Sequence, residues 1–225
     1  MSIPHPDRAR RLAGVRLYVI TSAEHPPARV LETVRAACAG GAGAVQLRRK
    51  GDDGLETLRL AEGCRELTDA SGAVFIVNDR ADIAMAAGAD GVHLGQDDLS
   101  VDAVRRLWPA GLIGRSTHSL SQALAAQRDG ADYVGVGPVF ATPTKPGRPP
   151  VGLELVRSVA ASALAIPWVA IGGIDAGNAA AVIAAGAPAV AVVRAAADAA
   201  DVEAAVARLM ELVAARAVGS GVVSS

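Results

Sequence analysis

Thr142, Thr144 and Lys145 fall in a stretch that also holds Pro138, Pro143 and Pro146. Proline fixes φ and lacks an N–H, so this stretch is neither a helix interior nor a central strand. A stiff loop that presents two hydroxyls and an ammonium is suited to meet an anion; the plain alternative is a surface loop with a solvated lysine. Similar chemistry recurs along the chain. Gln46, Arg48 and Lys50 alternate with Leu47 and Arg49, so an extended backbone puts one amide and two cations on one face. Asp79 and Asp98 offer hard oxygen donors of the kind Mg²⁺ takes in ones or twos, its shell completed by water and substrate phosphates. Their ordinary alternative is helix capping. Arg48, Lys50 and Lys145 could grip a diphosphate, the guanidinium as a fork and each ammonium as a point charge. Gly172-Gly173, just before a helix start, and Arg194, just after an apolar run, suit the backbone binding of a phosphate monoester.

These residues need elements that bring them together. Short apolar runs at Leu17–Ile20, Ala44–Leu47, Val74–Val77, Gly91–Leu94, Leu112–Gly114, Tyr133–Val136, Pro167–Ile171 and Ala189–Val193 read as strands. Between them, helical periods cover Ala28–Ala39, Leu55–Ala70, Ala81–Ala87, Val101–Leu107, Leu120–Arg128, Leu153–Ala161 and Asn178–Ala185, with a last helix near Val202–Ala214. Several helices run into a Gly-Ala pair, at Gly43, Gly88, Gly130 and Gly186, where glycine suits a left-handed closing residue. The strands are continuous apolar runs, as expected when both faces are covered. Strict βα alternation with eight units predicts a single (β/α)8 barrel over residues 16–215, after an arm at 1–15 and before a disordered tail at 216–225. A doubly wound sheet is the other solution, but Thr21-Ser22-Ala23-Glu24 after the first strand is not a glycine-rich phosphate loop. In such a barrel every residue named above sits at a strand's carboxyl end, the face that carries active sites.

Composition narrows the function. Hydrophobic residues make up 51% of the 225 while aromatics are only 3%, so the core must be built from aliphatic side chains. With 22 basic against 23 acidic residues the formal net charge is -1, which gives no support for a nucleic-acid or membrane-surface partner. Cys38 and Cys64 lack metal-ligand spacing and read as free thiols, consistent with a cytoplasmic protein. No apolar run is long enough to span a bilayer. His93 alternates with Val92 and Leu94 and reads as an interior barrel residue with a satisfied hydrogen bond. His118 is a rim candidate. No serine-hydrolase elbow, Cys/His cluster or dinucleotide fingerprint is present.

The blocks Val45–Lys50, Val77–Leu99, Ile113–Ser119, Gly130–Gly147 and Ala170–Ile174 together resemble the thiamine phosphate synthase family. The resemblance runs from about Leu17 to Val193. It implies a barrel transferase that joins 4-amino-2-methyl-5-hydroxymethylpyrimidine diphosphate to 4-methyl-5-(2-phosphoethyl)thiazole and releases diphosphate. Carried over by position, Gln46, Leu47, Arg48, Arg49, Lys50, Asn78, Ser116 and Lys145 hold the pyrimidine diphosphate, with Arg48, Ser116 and Lys145 acting on its departure. Asp79 and Asp98 hold one Mg²⁺. Thr142, Thr144, Gly172, Gly173, Val193 and Arg194 meet the thiazole phosphate. The family mechanism is dissociative: diphosphate leaves, and the thiazole nitrogen captures a pyrimidinylmethyl cation. The partners are small molecules, and a homo-oligomer is compatible with the sequence. Two positions depart from the family pattern, Arg49 where an acidic residue is usual and Arg194 where serine is usual. Two rival readings are a thiazole tautomerase of the same fold, which would have no need of the metal pair or the cationic clamp, and a non-catalytic phosphate-binding barrel, which would bind thiamine phosphate yet release no diphosphate.

Overall fold

The computed structural model describes residues 12–49, 51, 53–142 and 149–214. Lys50, Thr144 and Lys145 lie outside them, as do the outer part of the expected arm and the expected tail.

The first half of the chain runs β1 (Leu17–Ile20), α1 (Pro27–Ala39), β2 (Ala44–Leu47), α2 (Gly54–Ser71), β3 (Val74–Asn78), α3 (Ala81–Ala86), β4 (Gly91–Leu94) and α4 (Val101–Leu107). It continues with β5 (Leu112–Thr117), α5 (Leu120–Arg128), β6 (Tyr133–Val136), α6 (Gly152–Ala160), β7 (Trp168–Ile171), α7 (Ala179–Ala184) and β8 (Val190–Val192). A single turn of helix, α8 (Arg194–Ala197), precedes α9 (Val202–Ala214). All eight strands are parallel, each paired with its sequence neighbours, and β8 pairs with β1 to close the barrel. This is the (β/α)8 architecture expected from the alternation of strand and helix patterns.

Two elements differ from the sequence expectation. β5 runs three residues further, to Thr117, because Ser116 and Thr117 find register partners in Gly135 and Val136 of β6. Ladder pairing there outweighs the polar character of the side chains. The turn α8 is too short to show a helical period.

Period-two alternation divides the strand residues between two cores. Leu17, Val19, Val45, Leu47, Phe75 and Val77 point outward and pack with the helices, including Val30, Val34, Leu60 and Cys64. Tyr18, Ile20, Ala44, Val74, Ile76, Leu112 and Tyr133 fill the barrel interior. Leu12 and Val15, assigned above to the arm, are buried in that same interior cluster and belong to the barrel. Cys38 is half-buried and Cys64 buried, both as free thiols. Burial pushes the Cys64 thiol up to about 12, so it stays protonated and serves as packing.

The helix-to-strand turns repeat one device. Gly88, Gly130 and Gly186 take the left-handed conformation expected of them, whereas after α1 that task falls to Gly41 rather than Gly43. The aspartate before β4 and the one before β6 then act alike. Asp90 Oδ2 accepts from the Phe75 N–H at 2.7 Å and pairs with Arg65 at 2.9 Å. Asp132 Oδ2 accepts from the Ile113 N–H at 2.8 Å and pairs with Arg105 at 2.5 Å. Each carboxylate ties the start of its own strand to the preceding strand and to the helix before that one.

Asp132 is 2% exposed. Asp132→Ala leaves the Ile113 N–H without its acceptor and the Arg105 guanidinium with only main-chain carbonyls, and is expected to cost about 3–5 kcal/mol, read as a lower urea midpoint at unchanged slope. Asp102→Ala, which removes an exposed pairing with Arg106 on α4, should leave that midpoint where it is.

Candidate active site at the carboxyl ends of the strands

The strand ends open into one cavity of about 470 Å³, a volume suited to a small organic ligand. Its wall divides by chemistry. Ile20, Val169, Ile171 and Ala191 make an apolar side, and Gln46, Arg48, Asn78, Ser116 and Thr142 a polar one. Gly172, Gly173, Val193 and Arg194 complete the rim after β7 and β8. Residues far apart in sequence thus converge as the barrel reading anticipated. The alternation across β2 has the expected consequence: Gln46 and Arg48 face the cavity, and Leu47 and Arg49 do not.

Leu47 and Arg49 are therefore corrected as cavity residues. Leu47 is buried in the outer core between strands and helices. Arg49 Nη1 donates to the His25 carbonyl at 2.7 Å, and its other terminal nitrogen lies 3.9 Å from Glu56. It braces the β1 and β2 loops against α2. Arg48 is held at its main chain, where its N–H donates to Thr21 Oγ1 at 3.0 Å, while its guanidinium reaches the cavity. Arg194 also lines the cavity, and its Nε donates to Asp198 at 2.9 Å, one turn further along.

The glycine pair after β7 is required by close packing. Gly172 and Gly173 have φ of 103° and 63°. A Cβ at Gly172 would come within 2.4 Å of Pro138 Cα, and one at Gly173 within 2.7 Å of the Ala141 carbonyl oxygen. The β6 loop lies directly on this turn, tied by Phe140 N–H to the Gly172 carbonyl at 2.9 Å. Thr142 is thereby set beside the glycine turn in the same cavity wall.

Asp79 and Asp98 belong to neighbouring strand ends. The Asp79 N–H donates to the His93 carbonyl in β4 at 2.8 Å. Two residues beyond His93, the Gly95 N–H donates to Asp98 Oδ2 at 2.6 Å. Neither aspartate is the N-cap of the helix that follows: Arg80 occupies that position before α3, and Ser100 caps α4. Asp79 has φ of 62°, the left-handed region, and is the non-glycine residue that adopts it among those described. Aspartate tolerates this conformation better than most residues, and such strain gathers at functional sites. Two carboxylates at adjacent strand ends are the donor type a hard cation takes when it draws the rest of its shell from water and substrate oxygens, although neither side chain is among those that line the cavity. No group of three or more His, Cys, Asp and Glu side chains suited to a metal occurs among the described residues.

Some positioning residues carry no motif and were missed. Arg115, facing outward from β5, donates to the carbonyls of Leu99 and Gln96 at 3.0 and 3.2 Å. Gln96 Nε2 donates to the Ser116 carbonyl at 2.5 Å. Together they fasten the loop that carries Asp98 to the strand that carries Ser116. An arginine ending an apolar run was the only signal available. Tyr18 and Ile20 also line the cavity, and nothing in the apolar run of β1 sets them apart except the inward period. His93 lies inside the barrel with both ring nitrogens hydrogen-bonded, and His118 reaches the cavity wall.

Comparison with known proteins identifies the family. A family model described as thiamine monophosphate synthase matches residues 17–196. The thiamine-phosphate synthase of Gloeobacter violaceus is 54% identical over 190 residues, covering 84% of this chain and 54% of that protein, so the chain spans about half of that relative. The thiamine-phosphate synthase of Thermus thermophilus is 50% identical over 181 residues, covering 80% of this chain and 87% of the relative. Among solved structures, thiamine phosphate pyrophosphorylase from Pyrococcus furiosus superposes with a TM-score of 0.82 at 38% identity, covering 91% of this chain and 97% of that one. No helix among the described residues is long and apolar enough to cross a membrane. With a matching family model over most of its length and relatives at half identity, the chain belongs to the thiamine monophosphate synthase family and is a transferase of that barrel type.

Proposed function

We propose that the cavity condenses 4-amino-2-methyl-5-hydroxymethylpyrimidine diphosphate with 4-methyl-5-(2-phosphoethyl)thiazole, giving thiamine phosphate and diphosphate. The observation that carries this reading is the convergence of Gln46, Arg48, Asn78, Ser116 and Thr142 with the Gly172-Gly173 turn around one apolar-walled space. Two anionic groups and two flat rings must be held together there, and the cavity has chemistry for each.

Arg48 supplies a fork of donors to the diphosphate, with Asn78 and Ser116 adding neutral hydrogen bonds. Lys50 and Lys145 are assigned to the same clamp by resemblance. The thiazole phosphate is assigned to Thr142, the glycine turn and the backbone at Val193 and Arg194, where Arg194 adds a cation that the family usually lacks. Asp79 and Asp98 are the residues that would hold Mg²⁺. When bound, Mg²⁺ supplies Lewis-acid neutralisation of charge on the diphosphate oxygens.

The reaction we infer is dissociative. The bond between the pyrimidinylmethyl carbon and the diphosphate oxygen breaks, the electron pair leaves with the diphosphate, and the cation is delocalised over the aminopyrimidine. The thiazole nitrogen then donates its pair to that carbon. The chain's part is to stabilise charge that grows on the leaving group, to align the two rings and to keep water from the cation. Ile20, Val169 and Ile171 serve the last purpose. No side chain has to accept a proton for the bond exchange to balance. A cytoplasmic setting fits a chain that keeps two free thiols.

Mixing both substrates with and without Mg²⁺ and following thiamine phosphate tests the reading; no product under either condition refutes it. Asp79→Asn keeps a residue that tolerates the left-handed backbone while removing the charge. It is expected to lower kcat about 100-fold with the thermal midpoint unchanged, and full turnover without added metal would end the metal assignment. Arg48→Ala should raise KM for the pyrimidine diphosphate and lower kcat, with Arg48→Lys restoring only part of the loss. Arg49→Ala should lower stability and leave both constants unchanged. Equal kinetic losses at the two positions would remove Arg48 from the clamp. Lys145→Ala is expected to behave as Arg48→Ala does.

A further inference from the structure

Along the floor of the cavity runs a line of polar side chains, buried at Gln46, Tyr18 and Tyr133 and half-buried at His93 and Ser116, of which Tyr18, Tyr133 and His93 have no part in the bond exchange. Gln46 Nε2 donates to the Tyr18 hydroxyl at 2.8 Å, and the Tyr18 and Tyr133 hydroxyls lie 3.0 Å apart. Tyr133 Oη is 3.1 Å from His93 Nδ1, and His93 Nε2 is 3.0 Å from Ser116 Oγ. Five side chains from five strands are thus linked from one wall of the barrel to the other. Tyr133 is the middle of this line and is 1% exposed; Gln46, Tyr18, His93 and Ser116 border the cavity, and Tyr133 does not.

The interior is shaped around that phenol. Gly114 pairs with His93 on one side and with Tyr133 on the other. A Cβ at Gly114 would lie 2.2 Å from Tyr133 Cζ and 2.5 Å from its hydroxyl oxygen. Across the next strand, a Cβ at Gly135 would sit 3.4 Å from His93 Cε1. Gly114 in β5 therefore makes the slot for the ring, and Gly135 in β6 lies against the imidazole at ordinary contact distance.

With the Gln46 amide oriented as donor to Tyr18, counting hydrogens sets the direction of the line. Burial pushes the Tyr18 and Tyr133 phenols well above their ordinary pKa, so each keeps its hydrogen. Tyr18 accepts the Gln46 N–H, and its own hydrogen then has the Tyr133 oxygen as acceptor. The Tyr133 hydrogen is left for His93 Nδ1. A neutral imidazole that accepts at Nδ1 carries its proton on Nε2 and donates it to Ser116 Oγ. The Ser116 hydrogen is then turned outward. Reversing the line while Gln46 still donates would strand the Tyr18 hydrogen in a buried site, and a buried donor without an acceptor is costly.

We propose that Tyr133 is a positioning residue, which through His93 fixes Ser116 as a hydrogen-bond donor into the cavity and through Tyr18 holds one Gln46 N–H, orienting the amide so that its carbonyl oxygen and second N–H are the groups left for ligand. Such a floor selects a ligand with an anionic or acceptor oxygen over Ser116, and a ligand that presents a donor there would meet a hydrogen where it needs a lone pair. The proposal rests on the condensation reading only in identifying the oxygen that Ser116 meets as one of the leaving diphosphate.

The tautomer of His93 is the direct test and needs no turnover. Long-range ¹H–¹⁵N correlation on the intact, ¹⁵N-histidine-labelled protein above neutral pH, with His93 assigned by the signal lost in His93→Asn, should show a neutral ring protonated on Nε2. A ring protonated on Nδ1, or an imidazolium, would overturn the proposal. A kinetic cycle then separates positioning from packing. Tyr133→Phe is expected to lower kcat about tenfold with KM for the thiazole phosphate unchanged, and to add nothing further in a Ser116→Ala background. The same loss in both backgrounds would overturn it as well. If Tyr133→Phe fails to fold, the tautomer read on the unaltered protein still decides. An Nε2–H ring in a protein that makes no thiamine phosphate would leave the relay standing and remove the condensation reading instead.

Discussion

The hydrogen-bonded ladder between β8 and β1 is the constraint on which everything else rests. Once eight parallel strands close on each other, all of their carboxyl ends fall on one rim and all of their inward side chains share one interior. Arg48, Asn78, Ser116 and the Gly172-Gly173 turn become neighbours because of that closure, since nothing local in the chain draws them together. Period two does the rest: Gln46 and Arg48 enter the cavity, while Leu47 and Arg49 are turned to the helices.

The two ends of the barrel are put to different use. At the amino-terminal end, Asp90 and Asp132 are each bound by an arginine and a strand N–H, and Leu12 and Val15 close the interior. At the carboxyl end the loops are held from behind instead. Arg115 and Gln96 fasten the Asp98 loop, Arg49 braces the β2 loop, and Gly172 lets the β6 loop lie flat on the β7 turn. Rigidity is supplied by groups that face away from the cavity, while Arg48 and Asn78 line it.

Between the two ends lies the polar floor. A barrel interior of this size is normally filled with aliphatic side chains, and placing two phenols, an amide and an imidazole there is tolerable only if each is hydrogen-bonded. The line from Gln46 to Ser116 satisfies that demand and acquires a direction in doing so. A requirement of folding, that no buried hydrogen be left without an acceptor, thus becomes a statement about which groups the cavity offers to its ligand. The proposed chemistry asks for that kind of floor, since it has no proton to move and depends on fixed dipoles around a departing anion.

The strand runs and the helical periods between them were legible because each is a local pattern: apolar stretches bounded by glycine, aspartate or proline, and amphipathic stretches of ordinary length. So was the candidate rim, since a parallel barrel puts the residue after each strand on the same face, and Asp79, Ser116 and Arg194 could be read off by position. The extra length of β5 was not legible, because Ser116 and Thr117 become strand only by pairing with Gly135 and Val136. Nor was the turn of helix after β8, too short to carry a period. Which of two adjacent arginines faces the ligand followed from alternation, but what Arg49 and Arg115 hold did not, because their carbonyl partners lie on other loops. The floor was the least visible of all. Tyr18, Gln46, His93, Tyr133 and Ser116 are scattered over more than a hundred positions without a shared motif. Only a closed barrel, with Gly114 leaving room for one phenol, brings their polar atoms within hydrogen-bonding reach.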